Sequence, residues 1–294
     1  MACTIITSHH VEGWIERNKA DFKPPVCNKC MFDEQLTVFF VGGPNEREEY
    51  HIELGEEFFY QLKGDMLLKV VEKGQFKDIP IKEGEVFMLP AKVQHSPQRF
   101  ENTVGLVVER RRAKQELDGV RCFVKDGSGQ SLYERFFHLD DIVKDLPPLI
   151  EAFKDSEACK TGKPTADSVV LDDRAYEADT TTELMTPFSL KHWIANNAEA
   201  IQNDGKATLF DKPQFQTSVV VYGKGRHRLR PAKAETLLWS TQGKMVVKVD
   251  EDSKSTIEMA ENTLTRVADN EDISIEVPEG SYCLTLRMPT PADK

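Results

Sequence analysis

Short runs rich in apolar and β-forming residues recur along this chain, divided by glycine, proline and charged turns. Such a pattern reads as a series of short strands. In the first half it predicts strands over 36–41, 57–62, 66–71, 86–89 and 104–109, and in the second over 218–222, 236–241, 244–249, 273–277 and 282–288. Helical spacing is rarer. Ser8 is placed to cap a helix over 9–20 with Val11, Trp14 and Ile15 on one face, and Ser189 precedes a similar set, Leu190, Trp193 and Ile194. A further helix over 140–160 is expected to break at Pro147-Pro148, and 161–187, rich in Asp, Thr, Glu and Pro, reads as a polar surface linker. Many short strands without intervening helices predict a mainly β fold, a sandwich or barrel with jelly rolls among the candidates.

The pattern occurs twice. Trp14-Ile15 followed by Asn18 returns as Trp193-Ile194 followed by Asn197, at an offset of 179 residues. The same offset carries Glu56 onto Glu235, Gly64 onto Gly243, Met66 onto Met245 and Lys69-Val70 onto Lys248-Val249. Matches on one offset and in one order point to duplication of a whole domain.

Composition narrows the partners. Thirty-eight basic against 49 acidic residues leave a net charge of −11, which argues against nucleic acid or an anionic membrane as the main partner. No window reaches the roughly 18 apolar residues of a membrane span. The first ten residues have neither a basic nor a long apolar region, so an intracellular, cytosolic protein is expected. Six cysteines in 294 residues suit reduced thiols. Cys27 and Cys30 form one CxxC, without a second to complete a four-thiolate site, and read as an ordinary thiol pair.

The candidate chemistry lies in two stretches. His51, Glu53 and Glu57 fall close together, and His95 follows about 40 residues on in a Pro-flanked turn. Two imidazoles and one carboxylate make a facial triad for Fe(II), leaving adjacent positions open for substrate and dioxygen. Glu56 should point away from Glu57 by strand alternation. Glu53 precedes a turn at Leu54-Gly55, so spacing alone leaves it open as a further ligand.

The spacing resembles the cupin superfamily. His51-x-Glu53-x3-Glu57-x6-Gly64 fits the first cupin motif with Glu53 in place of its second histidine. Gly84-x5-Pro90-x-Lys92-x2-His95-x3-Arg99 fits the second, with Lys92 for a glycine and Arg99 for an asparagine. More specific segments narrow the family: Pro24-Pro25-Val26-Cys27-Asn28-Lys29, Gly42-Gly43-Pro44-Asn45, Tyr50-His51-Ile52-Glu53, Gly55-Glu56-Glu57, Leu89-Pro90-Ala91, His95-Ser96-Pro97-Gln98-Arg99 and TVGLVVERRR over 103–112. Together they resemble the 3-hydroxyanthranilate 3,4-dioxygenases in their longer, animal-type bicupin form. The resemblance is dense over 22–118 and thinner beyond.

That resemblance implies two cupin domains: a catalytic one over 1–165, a linker over 166–182, and a degenerate, non-metal-binding one over 183–294. It implies one Fe(II) per chain on His51, Glu57 and His95, and substrate contacts and catalytic roles for Arg47, Glu57, Arg99 and Glu109. The implied reaction opens the ring of 3-hydroxyanthranilate with O2 to give 2-amino-3-carboxymuconate 6-semialdehyde, on the route from tryptophan through quinolinate to NAD. Arg99 would meet the ring carboxylate with its fork, Arg47 the phenolate or oxygen, and Glu109 the amino or hydroxyl group. Without the resemblance, the arginines read as solvated and Glu109 as a partner of Arg110–Arg112. At offset 179 the triad falls on Arg230, Thr236 and about Ser274, none able to replace it, so the second domain is expected to stand in for a dimer partner in a monomer. A thiol dioxygenase, a metal-containing cupin isomerase and a non-enzymatic ligand-binding bicupin are the alternatives.

Overall fold

The computed structural model describes residues 5–22, 27–45, 47–169, 174–249 and 255–291. Pro24, Pro25 and Val26 of the family segment, with Cys3 and Glu46, lie outside them.

Four antiparallel sheets make two sandwiches. In the first half, one sheet runs in the spatial order Phe188–Ser189, Glu85–Leu89, Glu57–Lys63, Val104–Arg110, Leu36–Gly42, Asn28–Asp33. It faces a second of order Ser131–Phe137, Asp118–Phe123, Tyr50–Ile52, His95–Arg99, Met66–Glu72, Gln75–Ile81. The second half repeats the first sheet strand for strand as Ile6–His10, Thr263–Val267, Thr236–Gln242, Tyr282–Arg287, Ser218–Tyr222, Lys206–Phe210. Its other sheet, Gly225–Leu229, Ile273–Val277, Met245–Val249, Ser255–Met259, repeats the last four strands of its counterpart. The duplication read from a handful of matches is therefore a duplication of topology.

The edge strands are exchanged. Ile6–His10 pairs with Thr263–Val267 of the second half, from Ile6↔Val267 to His10↔Thr263, and Phe188–Ser189 pairs with Glu85–Leu89 of the first. This corrects the expected first helix. Ser8 lies in the exchanged strand, its hydroxyl 2.9 Å from that of Thr265, and the helix is Val11–Asn18, capped by the His10 ring on Gly13 N. Ser189 does cap its helix, Leu190–Asn196, accepting from His192 N.

The helix Ile142–Asp155 runs through Pro147 and Pro148, and the chain breaks instead at Ser156, whose hydroxyl caps Glu157–Thr161. A proline fixes φ at a helical value and forfeits one hydrogen bond; Leu146, buried beside Val120, anchors the helix there. Residues 174–187 carry no regular structure before Phe188, yet they are tied down. Tyr176 Oη donates to Ile52 O, Asp179 N to Lys92 O and Leu184 N to Glu72 Oε1, and Leu184 is buried.

Strand alternation divides the core. Phe40, Phe58, Met88 and Leu106 join Leu237, Trp239, Leu264 and Leu284 in one apolar cluster shared by the halves. Phe39, Phe59, Phe87, Leu89 and Val107 fill the inside of the first sandwich, on the face that also carries Glu57 and Glu109.

Candidate metal centre and active site

His51 is the middle residue of Tyr50–Ile52 and lies directly opposite His95 in the sheet register. The turn expected at His95 is not there. His95 opens the strand His95–Arg99, which pairs with Met66–Glu72 from Val70↔His95 to Met66↔Arg99. Glu57 opens a strand of the facing sheet. Both sheets thus send a donor inward, and the ligand atoms of His51, Glu57 and His95 lie within 4.8 Å of one another, all three residues buried.

The electrostatics suit a cation. Burial raises the Glu57 pKa, but the adjacent His95 and His51 outweigh it and bring it to about 2. His95 Nδ1 sits 3.0 Å from Val93 O, which fixes its proton there and leaves Nε2 facing Glu57 Oε1 at 2.9 Å. Glu57 Oε1 nevertheless has no aligned hydrogen-bond partner among the described residues. His51 Nε2 lies 2.7 Å from Asp118 Oδ2, a carboxylate–histidine contact of the kind that orients metal ligands.

Glu53 belongs to a different group. It clusters with Glu57 and Glu109, three acids without a histidine, and its Oε2 lies 2.5 Å from Arg112 Nη2. Burial pushes its pKa well above the usual range, against the pull of Arg112. Glu56 turns to the other half of the molecule, accepting from Gln216 N and Thr217 N.

Arg47, Arg99 and Glu109 line the same narrow cavity as the triad, about 40 Å³, walled by Phe39, Phe59 and Val107. It shares Asn28, Phe39, Glu109 and Ile142 with a wider chamber of about 490 Å³. The arginines are buried, not solvated. Arg47 Nε lies 2.5 Å from Glu49 Oε1, and Arg99 Nη1 donates to Gln61 Oε1 at 3.0 Å. Burial lowers the Arg99 pKa to about 10, still charged at neutral pH. Arg47 Nη2 and Arg99 Nε have no hydrogen-bond partner among the described residues. Buried donors are rarely left so. Two unused donors beside an unused carboxylate oxygen fit a site built for a cation and an anionic ligand. Glu109 does pair with Arg112, Oε1 to Nη1 at 2.6 Å, while remaining in the cavity wall. Arg110 and Arg111 reach Glu116 and Asp33 instead.

Sequence reasoning missed Asp118, Gln61, Asn45 and the inward role of Arg112. Asn45 accepts from Arg99 N and donates to Pro97 O, clamping the strand that carries His95. The CxxC thiols are spent separately, Cys27 on Pro44 O and Cys30 on Phe32 O, and burial pushes the Cys30 pKa up to about 12.

In the second half, the strand register moves two of the expected equivalents by one residue. The pair Leu229↔Ile273 stands where His51↔His95 does, and Thr236 stands for Glu57. Leu229 and Ile273 belong to that half's apolar core, and Thr236 accepts from Arg287 Nε.

Two antiparallel sheets closing on two histidines and a glutamate define a cupin-type protein with a site suited to a divalent metal. Residues 4–154 match the family model described as 3-hydroxyanthranilic acid dioxygenase. The chain is similar to the 3-hydroxyanthranilate 3,4-dioxygenases of Caenorhabditis elegans, 45% identical over 97% of this chain and 99% of that one, and of Mus musculus, 46% over 79% and 80%. Oxalate decarboxylase from Bacillus subtilis at pH 4.6 is a structural neighbour, with TM-score 0.48 and 17% identity over 90% of this chain and 71% of that one. The chain belongs to the 3-hydroxyanthranilic acid dioxygenase family. It is a dioxygenase, and no described helix is long and apolar enough to cross a membrane.

Proposed function

We propose that this chain opens the aromatic ring of 3-hydroxyanthranilate with O2, yielding 2-amino-3-carboxymuconate 6-semialdehyde, at one Fe(II) held by His51, Glu57 and His95. The observation that carries the reading is the coincidence of the buried triad with two unpartnered arginine nitrogens in one cavity. When bound, Fe(II) supplies the one-electron chemistry that lets triplet dioxygen react with a closed-shell ring.

The chain's own residues do the rest. Glu57 stays anionic across the working pH range and would offset part of the cation's charge, with His51 and His95 as nitrogen donors. Arg99 takes the substrate carboxylate through its free Nε, held in place by Gln61. Arg47 Nη2 donates to the oxygen at the reacting position, its guanidinium aimed by Glu49. Glu109 accepts from the substrate's amino or hydroxyl group, and Phe39, Phe59 and Val107 hold the ring and exclude water. A ring fixed in one orientation needs little reorganisation to react.

The apolar cluster shared by the halves supports a monomer in which the second sandwich serves as an internal partner, and Leu229 and Ile273 support one metal per chain. The described cysteines are free thiols, in keeping with the reducing cytosol.

The test is O2 uptake on adding 3-hydroxyanthranilate to anaerobically Fe(II)-loaded protein, with Glu57→Ala alongside. One O2 per substrate, lost in the variant, is expected. Bound Fe(II) without uptake would sink the substrate assignment, and failure to bind iron would sink the triad.

A further inference from the structure

Arg112 makes more contacts than a partner for Glu109 needs. Its Nη1 lies 2.6 Å from Glu109 Oε1 and its Nη2 lies 2.5 Å from Glu53 Oε2 and 2.7 Å from Asp118 Oδ2. Its Nε donates to Asp118 Oδ1 at 3.0 Å. Asp118 Oδ2 is in turn 2.7 Å from His51 Nε2. His51, Glu53, Glu109 and Asp118 are buried, and the Arg112 side chain is only 6% exposed.

One planar cation therefore joins two branches. Along the first, Arg112 holds Asp118 and Asp118 holds the His51 ring. Along the second, Arg112 holds Glu109 in the cavity wall. Asp118 takes both oxygens' bonds from Arg112, Oδ1 from Nε and Oδ2 from Nη2, so the guanidinium fixes the plane of the carboxylate that meets His51. A guanidinium can serve three carboxylates at once because its donors point along fixed in-plane directions; a lysine ammonium is a single point charge.

We infer that Arg112 is a positioning residue that couples the metal ligand His51, through Asp118, to the substrate contact Glu109, so that one side chain sets both metal affinity and substrate affinity. The inference rests on the ligand and substrate roles assigned above to His51 and Glu109.

The experiment uses Co(II) as a spectroscopic probe of the metal site, with thermal unfolding as the check on folding. Asp118→Asn is expected to raise the Kd for Co(II) roughly 10–100-fold and to alter its d–d absorption, as loss of an outer-shell partner does. Glu109→Gln is expected to raise KM for 3-hydroxyanthranilate in the Fe(II)-loaded enzyme and leave Co(II) affinity unchanged. Arg112→Lys is expected to do both. A folded Arg112→Lys with native Co(II) affinity and spectrum, or with weakened Co(II) and an unchanged KM, overturns the coupling. Should Arg112→Lys fail to fold, Asp118→Asn decides alone, and native Co(II) affinity and spectrum there overturn it. Glu57→Ala reports separately on the ligand assignment, because it retains Co(II) only if the metal sits elsewhere.

Discussion

Tyr60 and Trp239 hold the same place in the two halves of the chain, 179 residues apart, and their rings meet edge to face with centroids 4.7 Å apart. A position touches its own repeat equivalent only where the axis relating the two copies passes. The surroundings obey the same symmetry. Glu56 accepts from the backbone of Gln216 and Thr217, and its equivalent Glu235 accepts from Leu36 N in the opposite direction. With the exchanged edge strands, these contacts tie the halves together.

Trp239→Ala should therefore destabilise both halves together. Trp239 is buried in the shared cluster and its indole donates to Asn262. Truncating such a ring costs about 3–5 kcal/mol. Calorimetry is expected to record one transition, lowered by roughly 5–8 °C for a chain of this size. Two separated transitions would mean that each sandwich folds alone.

Gly105→Ala should impair substrate binding without touching a ligand. A Cβ at Gly105 would lie 2.1 Å from Arg99 Nη1 and 2.7 Å from Gln61 Oε1, so the guanidinium lies across the space a side chain would fill. If Arg99 holds the substrate carboxylate as proposed, displacing it by an ångström takes the fork away from that carboxylate, and a misplacement of that size costs about 100-fold. Steady-state kinetics should record most of the loss in KM, with metal content unchanged; an unaltered KM would separate Arg99 from the substrate carboxylate.

What was legible in the chain follows from how the signal is carried. Strands such as Leu36–Gly42 and Glu57–Lys63 are dense in apolar and β-forming residues and are legible nearly to their ends. His95–Arg99, HSPQR, has no apolar alternation, because its inward positions carry chemistry rather than hydrocarbon, so only the ladder reveals it as a strand. The exchanged Phe188–Ser189 has two residues, too few for any period. His51, Glu57 and His95 stand out as candidates because motif spacing is local. Asp118 was not, since it meets His51 across 67 residues and only through the pairing of Asp118–Phe123 with Tyr50–Ile52.

The tie of residues 174–187 to the first sandwich should weaken in acid through Asp179. Slight burial opposes its ionisation, but bonds from the Thr182 hydroxyl and the amides of Thr181 and Thr182 win and hold its pKa at about 2, below its ordinary 3.8. A lowered folded-state pKa contributes stability above the unfolded value and loses it as pH falls through the folded one. Asp179→Asn should thus melt below the native chain at pH 6, and the gap should close between pH 3.8 and about 2. A gap independent of pH would assign the effect to shape rather than charge.

Lys92 occupies the place where the second cupin motif has glycine, and its backbone keeps the conformation that glycine favours, at φ 64°. The peptide is pinned on both sides, Lys92 N donating to Glu53 O and Lys92 O accepting from Asp179 N, so the turn cannot relax. A side chain in the left-handed region costs about 1–2 kcal/mol. The ammonium also lies 5.8 Å from the Tyr176 ring, so removing it has an effect of its own. Comparing Lys92→Gly with Lys92→Ala cancels that effect, since both lack the ammonium. Chemical denaturation is expected to find the glycine variant more stable than the alanine variant by about 1 kcal/mol, the strain relieved less the extra entropy of the unfolded glycine. Equal stabilities would mean that the pinned turn stores no strain at this residue.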